Sequence, residues 1–221
     1  MMNEEKTGVL AVVSGFSGSG KGTLMNYLLS HYDYDLSISA TTRKPREGEE
    51  HGREYFFLTR DAFERMIENG EFIEYAQFVG NYYGTPKQYV KDRLAAGRNV
   101  LLEIEVQGAM QVKEQFPDAL LVFVTPPSAE ELKRRLVGRG TETMEEIARR
   151  LHRATDEAKM IDAYDVLLIN DDLATCAEDL NRMIHDDYMR IPFEVKNRFN
   201  QELIEEIKRG LLDYRLGGTN Q

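Results

Sequence analysis

The sequence predicts an α/β fold, a parallel sheet flanked by helices with one inserted α+β lobe. Three observations point to it. Short, continuous apolar runs recur along the chain, each is followed by a stretch with helical spacing, and a glycine-rich turn joins the first run to the first helix. Continuous apolar runs suit strands buried on both faces, and their alternation with helices is the pattern of a covered parallel sheet.

The elements follow in order. "GVLAVVS" reads as the first strand, and "KGTLMNYLLSHY" then changes to helical spacing. "RNVLLEIEV", "ALLVFVT" and "DVLLIN" read as further strands, with helical patterns after them in "QGAMQVKEQF", "SAEELKRRLVGR" and "DLATCAEDLNRMIHDDYM". Residues 39–94 break this rhythm. They are rich in Arg, Tyr, Glu and Gly, and carry two strand-like pieces, "REYFFL" and "EFIEYAQF", beside a short helical one, "TRDAFERMIENG". This predicts an inserted lobe at 39–94, with 1–38 and 95–190 forming the core. A second interruption, "GRGTETMEEIARRLHRA", sets a Gly-Arg-Gly turn before an N-cap expected at Thr141 or Thr143, then a helix bearing Arg149, Arg150 and Arg153. Residues 191–221 hold Phe199, Leu203, Ile207 and Leu211 at helical spacing, which predicts a helical extension packed on the core or on a second subunit.

Composition limits the function classes. At 221 residues the chain suits one folded unit with insertions, since domains split above roughly 250–300 residues. Lys and Arg total 28 against 38 Asp and Glu, a formal net charge of -10, which argues against general capture of nucleic acid or anionic membrane. Cys176 is the only cysteine, so no internal disulfide framework and no zinc site of several thiolates is available. "MMNEEKTG" is acidic and unlike a signal peptide, and no segment approaches ~18 uninterrupted apolar residues. A soluble cytoplasmic protein is expected.

The glycine-rich turn carries the chemistry. In "SGFSGSGKGT", Ser14 to Thr23, four glycines and one lysine stand between a strand and a helix. This is the P-loop arrangement, in which backbone N–H groups and a helix N-terminus enclose phosphate oxygens. Gly15, Gly18 and Gly20 relax the steric limits on the turn, Phe16, Ser17 and Ser19 complete it, and Lys21 supplies a point charge for the outer phosphates. The general motif expects a hydroxyl directly after the lysine. Here Gly22 stands there with Thr23 next, a GKGT ending similar to that of several nucleoside monophosphate kinases.

Four further stretches extend the likeness. "SATTRKPREGEEHGREYFF", "GEFIEYAQFVGNYYGTP", "LLEIEVQG" and "RRLVGRGTETMEEIARRL" resemble the successive signatures of the guanylate kinases, in that family's order, from about Gly8 to Met189. The resemblance implies transfer of the ATP γ-phosphoryl group to GMP with Mg²⁺, reversible and extending to dGMP, by a P-loop core, a GMP-binding lobe and a helical lid at about 138–153. It implies ATP and GMP as partners and no nucleic acid or membrane. Monomer and homo-oligomer remain equally open.

The same resemblance assigns the site residue by residue. Arg43 and Arg46 match the arginines that hold the GMP phosphate, with Tyr55 and Tyr83 offering phenolic donors to it. Planar guanidinium groups bind such oxygens in pairs. Glu74 and Glu105 match the base-reading acids, and Ser39 and Thr85 the hydroxyls beside them; carboxylates suit the N1–H and N2–H₂ donors of guanine. Arg139 and Arg150 match lid positions that close over the phosphates, Arg139 also flanking adenine. Asn170, with Asp171 beside it, resembles the segment bordering the adenine of ATP. Lys21, Arg43, Arg139 and Arg150 would carry catalysis, and Thr23 and Glu103 would reach the metal through water.

Residue pattern alone leaves other readings of several positions. Glu74 reads equally as the outward residue of an alternating strand and Glu105 as a strand-end charge, the tyrosines as strand packing, and Arg135, Arg149 and Arg153 as a solvated face. His31, His51, His152 and His185 are scattered without triad or metal spacing. The rival of another class is a kinase-like binding module that has lost catalysis. Such domains usually lack the P-loop lysine or the lid arginines, and this chain keeps Lys21, Arg139 and Arg150.

Overall fold

A computed structural model describes residues 7–138, 144–185, 205, 208 and 209. The predicted strand and helix alternation is present. A five-stranded, mostly parallel sheet has the order β2-β7-β1-β8-β9, and a four-stranded sheet the order β4-β3-β6-β5. The described residues fall into two compact units, one containing residues 7–12 and 33–119, the other 13–32 and those from Leu120 onward. β1 (Leu10–Gly15), fully buried along its length, contributes to both.

In the first unit, β2 (Asp35–Leu36) lies parallel to β7 (Val100–Glu103), Asp35 opposite Val100. The smaller sheet falls wholly within residues 39–94. β3 (Ala40–Thr41) runs parallel to β4 (Phe56–Phe57) and antiparallel to β6 (Asn81–Pro86), and β6 pairs antiparallel with β5 (Phe72–Phe78), with a bulge between Phe72 and Glu74. Helix α2 (Arg60–Glu68) starts at Thr59, whose side chain accepts from the Ala62 N–H at 3.2 Å. It buries Phe63 completely, stacked on Phe72 at 4.2 Å and on Tyr82 at 5.2 Å. The β5–β6 turn places Val79 and Gly80 at φ 46° and 77°, the two left-handed residues of a primed hairpin turn.

Helices α3 (Lys87–Ala95) and α4 (Val106–Gln115) complete this unit. The run "RNVLLEIEV" is a shorter strand than its apolar length predicts. It ends at Glu103, and Glu105 stands in extended conformation at the N-cap of α4 rather than at a strand end. The backbone turns there because α4 takes over the hydrogen bonding, the Ala109 N–H donating to the Glu105 carbonyl at 3.1 Å. β2 and α3 are elements that the apolar pattern does not single out, the first because two residues carry no periodicity, the second because its buried positions reduce to Val90.

The second unit is built on β8 (Leu120–Thr125), wholly buried, in parallel register with β9 (Val166–Ile169) from Val122 opposite Val166 to Thr125 opposite Ile169. Phe123 meets Phe16 and Tyr164 edge-on, at 4.9 and 5.2 Å between ring centres. Helices α1 (Lys21–His31), α5 (Ala129–Val137), α6 (Met144–Ala158) and α7 (Leu173–His185) belong to this unit. Their buried residues recur at helical spacing, Ile147, Leu151, Ala154 and Ala158 on α6 and Cys176, Leu180 and Ile184 on α7. α6 begins at Met144; the expected caps Thr141 and Thr143, Arg139, and the helical extension proposed over 191–221 lie outside the described residues, apart from three positions of the last. No described helix is long and apolar enough to cross a membrane.

Phe63 joins α2 to the small sheet, so Phe63→Ala should lower unfolding free energy by about 3–5 kcal/mol. Urea denaturation of the variant would test this, and a loss under about 1 kcal/mol would show that the site collapses around the cavity.

Candidate active site

The strand-to-helix turn of the second unit is shaped by contact with the neighbouring strand. Gly15 has φ 145°, and a Cβ there would fall 2.0 Å from the Val124 carbonyl oxygen. No side chain fits at residue 15. Gly20, at φ 88°, forms the N-cap of α1, where a Cβ would meet the Asn170 amide nitrogen at 2.5 Å. The turn thereby delivers the N-terminus of α1 and its backbone amides to one place. Lys21 folds over the turn, its Nζ donating to the Gly15 and Phe16 carbonyls at 2.6 and 3.0 Å.

Three side chains from the same unit fasten this turn. Asn170, at the end of β9 and 5 % exposed, donates from Nδ2 to the Ser19 carbonyl at 2.9 Å, while its own N–H donates to the Thr125 carbonyl at 2.8 Å. Arg135 of α5 donates to the Asn170 carbonyl at 2.8 Å, to the Ser19 carbonyl at 3.4 Å and to Glu131 at 2.6 Å. Hydrogen bonds from Arg134 and Arg135 hold the Glu131 carboxyl down at about 2. Arg150 of α6 donates to the Ser17 hydroxyl at 2.8 Å. Of the arginines the sequence left open, Arg135 therefore belongs to the turn, whereas Arg153 is half exposed and paired with Glu157, and Arg149 is exposed.

The first unit holds the second cluster. Arg43 follows β3, and both of its terminal nitrogens donate to Glu49, each at 2.9 Å; Glu49 also accepts from the Arg46 N–H at 2.7 Å. The carboxylate thus ties the loop that carries both arginines. The Arg43 guanidinium lies 5.4 Å from the Tyr55 ring centre and 5.7 Å from that of Phe57, and Tyr55 meets Tyr83 edge-on at 6.1 Å. Hydrogen bonding from Arg43, then from the Arg46 N–H, holds the Glu49 carboxyl below its ordinary range. Burial pushes the Tyr55 phenol up, with Tyr83 acting in the same direction, so it remains a hydroxyl donor. The Arg46 side chain is exposed.

Glu74, on β5, is 8 % exposed, and opposite it on β6 the Thr85 hydroxyl donates to Glu74 Oε1 at 2.6 Å. Burial raises the Glu74 pKa above its ordinary 4.5, a shift partly offset by the Thr85 hydroxyl and amide. The pairing is a strand register effect: Glu74 and Thr85 are direct cross-strand partners. Ser39 is half-buried at the start of the small sheet, its carbonyl accepting from the Phe56 N–H at 2.9 Å. Glu103 and Glu105 are exposed, the first at the end of β7. Gly22 and Thr23 are exposed in the first turn of α1, with open space where a Cβ at residue 22 would project. Among the described residues no group of three or more His, Cys, Asp or Glu side chains is arranged to hold a metal ion.

The chain that carries the glycine-rich turn, the arginine–tyrosine group and the buried acid is similar to known proteins. The family described as guanylate kinase matches residues 7–187. The chain belongs to the guanylate kinase family. Members of this family are ATP:GMP phosphotransferases. Curated relatives named guanylate kinase include one from Clostridioides difficile, 49% identical over 93% of this chain and 98% of its own length, and one from Lactococcus lactis, 47% identical over 91% and 98%. A crystal structure of guanylate kinase from Anaplasma phagocytophilum is similar, with a TM-score of 0.64 and 32% identity over 83% of this chain and 89% of that one.

For a guanylate kinase, one residue and one contact of this region escape the family signatures as the sequence presents them. Glu49 sits in the acidic run "EGEE", where nothing singles it out from Glu47 and Glu50 until the loop closes on Arg43. The tie between Asn170 and Ser19 joins positions far apart in sequence, and only the chain fold shows it. Glu49→Ala should free the Arg43 guanidinium and weaken GMP binding about tenfold, the effect of losing a charged hydrogen bond, with ADP binding unchanged. Calorimetric titration of both nucleotides tests it. Tighter GMP binding in the variant would mean that Glu49 competes with the phosphate instead of holding its ligand.

Proposed function

We propose that the chain transfers the γ-phosphoryl group of ATP to GMP, and to dGMP, giving ADP and the corresponding diphosphate, and that the reaction runs in both directions. One observation carries the choice of acceptor: a buried carboxylate, Glu74, held on one oxygen by Thr85. Guanine offers N1–H and N2–H₂ donors to such an acceptor, and adenine has an unprotonated N1 and no N2. A site with buried acceptors left unpaired by the wrong base can reject it by roughly 10⁴-fold.

Phosphoryl transfer asks the protein for positioning and positive charge, since its transition state spreads charge over equatorial oxygens. The loop Gly15–Thr23 takes the ATP phosphates on its backbone amides. Lys21 exchanges its carbonyl partners for the outer phosphate oxygens, a favourable exchange of neutral acceptors for charged ones. Arg150, already within reach of the loop through Ser17, adds charge there, and Arg139 does the same from the segment before α6. Asn170 serves ATP binding by holding the Ser19 carbonyl, which orients the neighbouring amides. Arg43 and Arg46 take the GMP phosphate with the phenols of Tyr55 and Tyr83, and Ser39, Thr85 and Glu105 complete the base site around Glu74.

Mg²⁺ suits the exposed oxygen donors of Thr23 and Glu103. They are too few for a dedicated protein cage, which fits an ion that keeps waters and is bound chiefly through nucleotide phosphates. When bound, it neutralises developing charge on those phosphates. Gly22 leaves the position after the lysine without a hydroxyl, and Thr23 would reach the ion through water.

ADP formation from ATP and Mg²⁺ should depend on GMP or dGMP and be far slower with AMP, CMP or UMP; a folded protein that binds GMP without turnover would sink the proposal. Glu74→Gln should reduce kcat/KM for GMP about 10–100-fold, the loss expected for charged acceptor bonds. A carboxyl whose folded pKa lies above its unfolded value weakens the fold at pH above both, and that cost disappears as pH falls. Glu74→Gln should accordingly raise Tm at neutral pH while GMP selectivity is lost, and wild-type kcat/KM for GMP should begin to fall at a higher pH than an exposed glutamate would give.

A further inference from the structure

α4 presents Gly108, Val112 and Gln115 at spacings that share one face of a helix. Gly108 and Val112 are buried there, α4 packs on β5, and Gln115 Nε2 donates to the Ile73 carbonyl, next to Glu74 at the strand bulge. Glycine is a poor helix former, and Gly108 has no left-handed φ that would call for it. Space is what calls for it. A Cβ at 108 would stand 3.1 Å from Glu74 Oε2 and 3.3 Å from the Ile104 Cδ1, closer than side chains ordinarily approach, and 3.4 Å from the Glu74 carboxyl carbon.

The Thr85 hydroxyl donates to Glu74 Oε1, and Oε2 is the oxygen that lies beside residue 108, where glycine carries no side chain. We propose that Gly108 is a specificity-determining positioning residue: by carrying no side chain it lets the Glu74 carboxylate stand where Oε2 meets the guanine N–H donors. This rests on Glu74 being the base-reading acid, as proposed above. Gly84 does a related service from β6, where a Cβ would fall 2.9 Å from the Glu74 carbonyl oxygen and from Tyr75 Cβ, but that contact is with the strand and not with the carboxylate.

A methyl group at 108 displaces the carboxylate by a few tenths of an ångström. The test is calorimetric binding of GMP, with ADP as the control ligand, to the full chain and to Gly108→Ala, Glu74→Asp, Glu74→Gln and the Gly108→Ala/Glu74→Asp double variant. Gly108→Ala should weaken GMP binding about tenfold, the effect of impairing one charged hydrogen bond, and should leave ADP binding within about twofold and Tm undiminished, because alanine is the better helix former. In the Glu74→Asp background the carboxylate is one methylene shorter and withdrawn from residue 108, so the same substitution should cost little. A general packing role for Gly108 would instead produce the same loss in both backgrounds, and that result overturns the proposal. So does unchanged GMP binding in Gly108→Ala when Glu74→Gln has lost it, an outcome that leaves the role of Glu74 standing. Unchanged GMP binding in Glu74→Gln would remove the base-reading role itself. Should Gly108→Ala fail to fold, Gly108→Ala with Ile104→Ala relieves the second contact and is read in the same way.

Discussion

The close approach of β1 to the Val124 carbonyl at Gly15 is the constraint on which the phosphate site depends. With the carbonyl oxygen 2.0 Å from where a Cβ would be, the chain at residue 15 must be bare, and it leaves the strand with a φ of 145° that side chains rarely adopt. Everything beyond follows from that exit. The turn reaches Gly20 in left-handed conformation, α1 begins at Lys21, and the lysine lies back across the carbonyls of the turn. The backbone entropy given up by the glycines is offset by burial on both sides of β1, whose six residues are all buried.

A comparable economy of space surrounds the buried carboxylate of the first unit. Glu74 is buried among close glycines, with Thr85 on one oxygen and Gly108 next to the other. Burial raises its pKa, and the hydrogen bonds from Thr85 offset this only in part. Arg43 is treated in the opposite way. Glu49 satisfies both terminal nitrogens, and the aromatic rings of Tyr55 and Phe57 lie within cation–π range, so the guanidinium is held by contacts on several sides.

Membership in the guanylate kinase family was legible in the chain before any coordinate, because phosphate binding by backbone needs glycines at set spacing and because the arginine, tyrosine and carboxylate signatures follow one another in order. The positions of Glu49, Arg135 and Gly108 were not legible. Glu49 is one of several acids in a loop, Arg135 one of two consecutive arginines on a helix, and Gly108 looks like an ordinary helix glycine. Each acquires meaning from a partner brought to it by folding: Arg43, the Ser19 carbonyl and the Glu74 carboxylate.

The sequence by itself determined the alternation of strands and helices, the glycine-rich turn between the first strand and helix, and membership in the family, since these rest on periodicities and spacings within a few residues. Tertiary structure alone decided where the strand "RNVLLEIEV" stops, that Glu105 enters a helix, which of the neighbouring arginines reaches the turn, and how closely α4 approaches Glu74. Those outcomes depend on which surfaces come within hydrogen-bonding distance across long stretches of chain. A distance of that kind is set by packing and register, and local pattern carries no record of it.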